Sequence, residues 1–130
     1  MLYTCNRKKR KHEFSSFGLN KKVNNEFIPD NFRHEHYLLI EENGKRVLIS
    51  DCSHKGILNI AEWFKPDALV GGFHFCKIPP GEDLAEASKK LNSFNTTYYT
   101  CHCTGTEQFS FMKNYIDKLH YLSCGEAIYI

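Results

Sequence analysis

Histidines follow three β-like segments of the sequence, each at the point where the segment runs into a turn or a helix. The segments are VLISDCSH, ALVGGFHF and YYTCHCTG, and they contribute His54, His74 and His102. Asp51 and Cys52 add a carboxylate and a thiol to the first of them. Imidazoles with thiolate or carboxylate suit a first-row metal, zinc most readily, with iron or manganese as alternatives. The three segments therefore predict a metal site if the fold brings their ends together.

The pattern Cys101-His102-Cys103 also raises two other interpretations. A structural zinc clip needs a second paired cysteine motif, and the sequence has none. If the β-like segment continues through these residues, Cys101 and Cys103 face one side and His102 the other. A catalytic thiol–imidazole pair, Cys52 with His54 or His102, has no local signature. Each histidine alone is more typical of a hydrogen-bonded structural residue, so only their shared position favours a site.

The elements that would position these side chains alternate between strand and helix. Asn43-Gly44, between HYLLIEE and KRVLIS, predicts a β-hairpin. Periodicity predicts helices over GILNIAEWF, EDLAEASKKLNSF and TEQFSFMKNYIDKL, the last opened by a capping box of Thr104 and Glu107. DALVGG, TTYYTC, HYL and AIYI are typical of short strands. The order predicts an α/β fold, a β-hairpin followed by alternating helices and strands, in which ligands bind at the carboxyl ends of the strands.

Small residues accompany the histidines at two of these strand ends. Gly71 and Gly72 precede His74, and Gly105 follows the cysteine-rich segment. Glycine allows the backbone to approach a ligand closely, and a helix that begins near Thr104 and Gly105 would direct N–H groups at an anion. Gly71, Gly72, Thr104 and Gly105 are therefore expected to shape a substrate pocket.

Composition limits the classes of partner. With 130 residues and a net charge of +2, the chain is predicted to form one domain that binds neither nucleic acid nor membranes. The longest apolar runs fall well short of the about 18–20 residues that span a bilayer, and the first residues lack the apolar core of a secretory signal. We therefore expect a cytoplasmic protein whose six cysteines are reduced.

The first 35 residues are expected to be irregular, with order beginning at His36. The basic cluster at positions 7–11 could bind phosphate or act as a targeting signal. Its composition is more typical of a solvated, flexible terminus.

The motifs CSH, GGFH, HCTG and HYLSCG together resemble the C-terminal half of a metallo-β-lactamase-fold hydrolase. The nearest branch is the one named dihydropterin ribofuranosylaminobenzene phosphate synthase-like. The resemblance covers residues 14–130 and leaves residues 1–13 as a basic, irregular N-terminal segment. It implies half of an αββα sandwich that binds one or two metal ions, usually zinc and sometimes iron or manganese. It also implies that a metal-bound hydroxide attacks an ester, phosphoester or related bond.

The resemblance assigns roles to single residues. Cys52 lies where many members of the superfamily have an aspartate that bridges two metals, and His102 matches the last metal-binding histidine. His54 and His74 match histidines of the branch that would bind metal or stabilise an oxyanion. Asp51 stands where the branch has glycine, and a role behind the metal ligands is expected for it. The resemblance gives no residue a specific catalytic role.

One departure from the superfamily is the absence of the H-x-H-x-D-H motif, which supplies its first metal ligands. The HEH at positions 34–36 precedes a strand instead of following one, so it is interpreted as surface or as a contributor behind the metal ligands, with Glu35 lining the site. The chain is therefore predicted to need a complementary N-terminal half or self-association, and alone to be inactive or weakly active. Half a sandwich would also expose apolar strand residues, and we expect this of Leu38, Ile40, Leu48 and Leu69.

Three functions remain open on the sequence alone. The first is a part of a metal-dependent hydrolase that acts on a small-molecule substrate. The second is a metal-binding module without catalysis, such as a decayed paralogue. The third is an interaction protein with a basic tail whose histidines are structural.

Overall fold

The computed structural model describes residues 1–13 and 17–130 and has a mixed α/β architecture. Its strands are β1 (Leu2–Tyr3), β2 (Asn20–Val23), β3 (Glu26–Pro29), β4 (Tyr37–Glu42), β5 (Lys45–Ser50), β6 (Ala68–Gly71), β7 (Thr97–Thr100) and β8 (Leu119–Tyr121). Its helices are α1 (Ile57–Phe64), α2 (Glu82–Ser93) and α3 (Thr106–Met112), with a 3₁₀ turn at His102–Thr104. The predicted α/β class, the hairpin and the alternation that follows it are confirmed.

The main sheet has the strand order β1-β4-β5-β6-β7-β8, and β2 pairs with β3 in a separate hairpin. β4 and β5 form the antiparallel hairpin predicted around Asn43-Gly44. From β5 onward each neighbour is parallel, and the helices provide the crossovers that parallel strands need. The parallel register aligns Ser50, Gly71 and Thr100 in one row, so β5, β6 and β7 end together at one edge.

One face of the main sheet packs against the helices. A register row of paired residues crosses this face and is almost fully buried: Leu39, Leu48, Leu69, Tyr98 and Leu119. Apolar side chains of all three helices join the same core, among them Ile60, Leu84 and Met112. The Tyr98 hydroxyl donates to the Leu91 carbonyl at 2.9 Å, which satisfies its buried polar atom. None of the helices in the described ranges is long and apolar enough to cross a membrane.

The opposite face of the sheet is largely open. Its register row runs through Leu2, Leu38, Ile49, Val70 and Tyr99. Exposed fractions reach 62% for Leu2, 39% for Leu38 and 40% for Ile49. Such a row of apolar side chains on one surface is typical of a face that another layer covers.

The expected exposure is right for Leu38 and Ile40 but wrong for Leu48 and Leu69, which are fully buried. Successive residues of a strand point to opposite faces. Leu48 pairs with Leu39 on the helix side, whereas Ile49 pairs with Leu38 on the open side.

Three further details differ from the sequence-based expectation. Thr104 does not cap α3, because its hydroxyl instead accepts the Phe73 N–H at 2.9 Å and bonds the Thr100 hydroxyl. Gly105, which has no side chain, occupies the capping position, and α3 ends at Met112, earlier than its periodicity indicates. Among the described residues, 127–130 form no strand. Residues 128–130 instead line a shallow depression on the open face with Ile40 and Val47.

The described residues among the first 35 are more ordered than their composition indicates. β1 extends the main sheet by pairing with β4, and β2 and β3 form their own hairpin. The basic cluster is docked on α1 and is not a free terminus, since the Trp63 indole donates to the Lys9 carbonyl at 3.0 Å and Lys11 pairs with Glu62. The predicted boundary after residue 13 adjoins residues 14–16, which lie outside the described residues.

We expect the open face to cause self-association of the isolated chain. The double variant Leu38→Gln/Ile49→Thr removes two neighbouring apolar side chains and should weaken association about tenfold or more. Glu41→Gln, an exposed change on the same hairpin, is the control. Sedimentation velocity over a range of concentrations measures the effect. A parent chain that sediments as a concentration-independent monomer would contradict the prediction.

Candidate functional site

The predicted site residues lie in the loops that follow the aligned ends of β5, β6 and β7. Beyond this row the Gly72 N–H donates to the Asp51 carbonyl at 2.7 Å, and the Cys76 N–H donates to the Cys103 carbonyl at 3.1 Å. These backbone bonds tie the three loops together. The common register therefore brings side chains that are distant in sequence to one edge of the sheet.

Two thiols and one imidazole form a group with metal-binding geometry at this edge. The Sγ atoms of Cys52 and Cys103 and a ring nitrogen of His102 lie within 4.8 Å of one another. In a tetrahedral zinc site such donors are about 3.5–3.8 Å apart, so a small contraction would close them around an ion. Cys52 and Cys103 are partly buried and His102 is exposed, which leaves an approach from solvent. The donor set fits a thiophilic divalent metal.

A tight turn brings His102 and Cys103 into this group. β7 ends at Thr100, and His102 adopts a left-handed backbone with φ 50° at the start of the 3₁₀ turn. The alternation expected for Cys101, His102 and Cys103 is therefore wrong, because these residues are not in a strand. Cys103 was not predicted as a ligand, and only the closeness of Gly105, a residue typical of turns, hinted at this geometry.

Close backbone approach holds the Cys103 sulfur in place. A Cβ at Gly72 would lie 2.6 Å from Cys103 Sγ, so a larger residue there would displace the sulfur. At Gly71 a Cβ would lie 1.5 Å from the Ser50 carbonyl oxygen, which excludes any side chain. Gly72 thus makes room for the Cys103 sulfur, and Gly71 allows the close approach of the Ser50 backbone. The pocket role predicted for both glycines stays a prediction.

Burial keeps the thiols protonated when no metal is bound. It raises the pKa of Cys103 to about 12, although a hydrogen bond from the His74 backbone N–H acts in the opposite direction. Burial also raises the pKa of Cys52, which a hydrogen bond with Cys103 partly offsets. Protons would therefore leave both thiols when a metal binds.

His54 and His74 form a second cluster beside the thiol group. Their ring centroids are 4.3 Å apart, and His54 stacks on the buried Phe32 at 4.5 Å with an interplanar angle of 10°. Burial lowers the pKa of both imidazoles, and a positive charge on His54 lowers the pKa of His74 further. Both rings are therefore neutral near pH 7. The ligands predicted from the sequence thus divide into two adjoining clusters, Cys52 with His102 and His54 with His74.

Glu35 stabilises the His54 loop through hydrogen bonds to its backbone. Its buried carboxylate accepts the His54 N–H at 2.5 Å, the Lys55 N–H at 3.1 Å and the Tyr37 hydroxyl. The fully buried Lys55 ammonium donates to the Thr4 and Glu35 carbonyls. The HEH segment therefore contributes through its middle residue, whereas His34 and His36 are exposed.

The remaining predicted residues lie around the thiol group without joining its donor set. Asp51 is exposed, and its negative charge raises the pKa of Cys52 and Cys101. Thr104 is buried and hydrogen-bonds the Phe73 backbone and the Thr100 hydroxyl, and Gly105 is the N-cap of α3. Their roles in a substrate pocket stay predictions.

We expect Glu35→Ala to destabilise the fold, because it leaves two backbone N–H groups and a buried ammonium without their acceptor or counter-charge. The loss should be about 2–4 kcal/mol in the free energy of unfolding, and Glu35→Gln, which keeps one acceptor oxygen, should lose less. Urea unfolding measures both against Glu41→Ala as an exposed control. Equal midpoints for Glu35→Ala and the control would refute the supporting role.

Comparison with known proteins gives relatives for this arrangement. A scan against protein-family models finds no match. A curated relative from Methanocaldococcus jannaschii is 28% identical to this chain, over 87% of the chain and 41% of the relative. That protein is named 7,8-dihydropterin-6-methyl-4-(beta-D-ribofuranosyl)-aminobenzene-5'-phosphate synthase. The chain therefore spans less than half the length of this relative.

A solved structure shares the fold. It is Tm1679, described as a metal-dependent hydrolase of the beta-lactamase superfamily, and it superposes with a TM-score of 0.71 at 26% identity. The match covers 90% of this chain and 51% of that one. The resemblance predicted from the sequence is therefore confirmed: the chain has the fold of the metallo-β-lactamase-type hydrolases over about half of their length.

Proposed function

We propose that this chain is the metal-holding part of a hydrolase that acts on a small-molecule ester or phosphoester. The observation that supports this most is the convergence of Cys52, His102 and Cys103 from two loops about fifty residues apart in sequence. The likeness to a metal-dependent hydrolase adds to it. We propose zinc as the metal, since two sulfurs and an imidazole suit zinc, whereas manganese prefers oxygen donors.

The residues of this chain would divide the work between holding the ion and orienting the substrate. Cys52, His102 and Cys103 would bind the metal, with the Cys103 sulfur held close to Gly72. The neutral imidazoles of His54 and His74 would each offer one hydrogen-bond donor and one acceptor to a substrate beside the metal. When bound, the metal supplies a Lewis acid that activates water and polarises the bond to be cleaved.

A second layer would complete the enzyme. The open face of the main sheet, with Leu38, Ile40 and Ile49 exposed, fits a complementary half that brings the missing H-x-H-x-D-H ligands. The length of the two relatives, about twice that of this chain, supports such a half. A second copy of this chain could cover the same face by self-association.

A metal-binding module without catalysis is the second candidate function. It is favoured by the absence of H-x-H-x-D-H from the sequence and by a donor set that three side chains of this chain already supply. Both candidates require the metal, and turnover separates them.

We expect Cys103→Ser to weaken metal binding strongly, because it removes one of two sulfur donors. Titration with Co²⁺ reports this through the thiolate-to-cobalt charge-transfer absorption, which should fall by about half, with affinity reduced about tenfold or more. Cys101→Ser is the matched control, since Cys101 lies in the same turn but outside the donor group. Equal spectra for the two variants would exclude Cys103 as a ligand.

We expect hydrolysis of bis(p-nitrophenyl) phosphate when the zinc-loaded chain is mixed with an H-x-H-x-D-H half from a full-length relative. His102→Ala should lower the rate about 100-fold or more, because the metal loses a ligand. Removal of zinc by a chelator should abolish the rate and its return should restore it. Zinc binding without turnover in the mixture would favour the non-catalytic module instead.

A further inference from the structure

A cavity of about 440 Å³ opens beside the imidazole cluster, between the loops that follow β5 and β6. We name it the imidazole pocket and define it by His54, His74, Phe17, Phe73 and Phe75. The thiol group lies next to it but does not line it: Cys52, His102 and Cys103 are not among its lining residues. The pocket is therefore a space separate from the donors proposed to hold the metal.

A series of ring contacts runs beside this pocket; only Phe32 and His54 are stacked, and the other pairs are tilted or edge-to-face. Phe32 stacks on His54, His54 contacts His74 at 4.3 Å, and Phe17 contacts His74 at 5.1 Å between ring centroids. Phe73 and Phe75 add a further edge-to-face pair at 6.1 Å. Aromatic surfaces favour planar ligands through offset stacking and edge contacts. The aromatic lining of the pocket thus favours a flat ring as the ligand.

The His74 ring has hydrogen-bonding capacity that the protein does not use. Both of its ring nitrogens are buried and have no hydrogen-bond partner among the described residues. The residue also holds a left-handed backbone with φ 55°, which is uncommon for histidine. Buried polar atoms in native proteins are nearly always paired, so an unpaired imidazole at the wall of a cavity points to a ligand that pairs with it.

The charged side chains around the pocket favour a ligand without negative charge. Two carboxylates, Glu13 and Asp83, line it, and no lysine or arginine does so within the described part of the chain. The neighbouring Lys77 donates its ammonium to the Phe17 carbonyl at 2.8 Å. Carboxylates without lining cations repel anions and attract N–H donors.

We propose that the imidazole pocket binds a planar aromatic ring that bears N–H donor groups and no negative charge of its own, packed against the aromatic side chains that line the pocket and hydrogen-bonded to His74. An amidine-substituted or amino-substituted ring has this chemistry. The proposal rests on the proposed function in one respect: it takes the bound ring to be part of the substrate. Binding itself needs neither metal nor turnover.

Benzamidine, benzoate and guanidinium test the proposal on the metal-free full chain. Benzamidine and benzoate have nearly the same shape and opposite charge, and guanidinium keeps the donors but lacks the ring. Titrations followed by the NMR signals of the imidazoles should show benzamidine binding about tenfold or more tightly than either of the others. The shifts should be centred on His54 and His74.

His74→Asn is the critical variant, because asparagine tolerates the left-handed backbone but lacks the ring. It should lower benzamidine affinity about tenfold while the backbone NMR spectrum stays folded. His120→Ala, which removes an exposed ring stacked on Tyr99, should bind benzamidine as the parent does. Equal binding of benzamidine and benzoate, undiminished binding by His74→Asn, or no benzamidine binding up to about 10 mM would overturn the proposal.

The same titration repeated with zinc separates this proposal from the proposed function. If the chain binds benzamidine but does not bind zinc, the proposed metal site alone would be overturned. Zinc that shifts the His74 ring signals directly and prevents benzamidine binding would identify His74 as a metal ligand and overturn the ring pocket.

Discussion

The parallel register of β5, β6 and β7 is the constraint on which the site depends. It places Ser50, Gly71 and Thr100 in one row, so the next two or three residues of each strand leave the sheet at the same edge. Cys52, His74 and the turn at His102–Thr104 follow directly from that row. A slip by one residue would turn the buried side chains of a strand to the open face, and the helix-side core prevents it. The core thus holds the three loops in place at this edge of the sheet.

The two faces of the main sheet differ in how far other parts of the chain cover them. The helix side is closed by apolar side chains that include Leu48, Leu69 and Tyr98, and this packing accounts for a defined fold. The opposite side displays Leu38 and Ile49 to solvent. In the proposal above, the layer that would cover those side chains is also the layer that would supply the remaining ligands. Binding of that layer would then cover the apolar face and complete the site in the same step.

Sequence reasoning succeeded where a local pattern determines the structure. The Asn43-Gly44 hairpin and the positions of the strands that lead to His54, His74 and His102 follow from turn chemistry and periodicity. It failed where a single turn or a distant contact decides. Cys103 joins the donor group only because the chain leaves β7 in a 3₁₀ turn. The sequence indicates Glu35 near the site, but not its hydrogen bond to the His54 loop, about twenty residues away in sequence. Neither contact has a period or spacing that a sequence displays.

The central claim is that two sulfurs and one imidazole of this chain bind one metal ion at the edge of the sheet. X-ray absorption spectroscopy of the zinc-loaded chain measures that ligand set most directly. The account predicts two sulfur scatterers at about 2.3 Å and nitrogen or oxygen scatterers at about 2.0–2.1 Å from zinc. A first shell of nitrogen and oxygen without sulfur would contradict it.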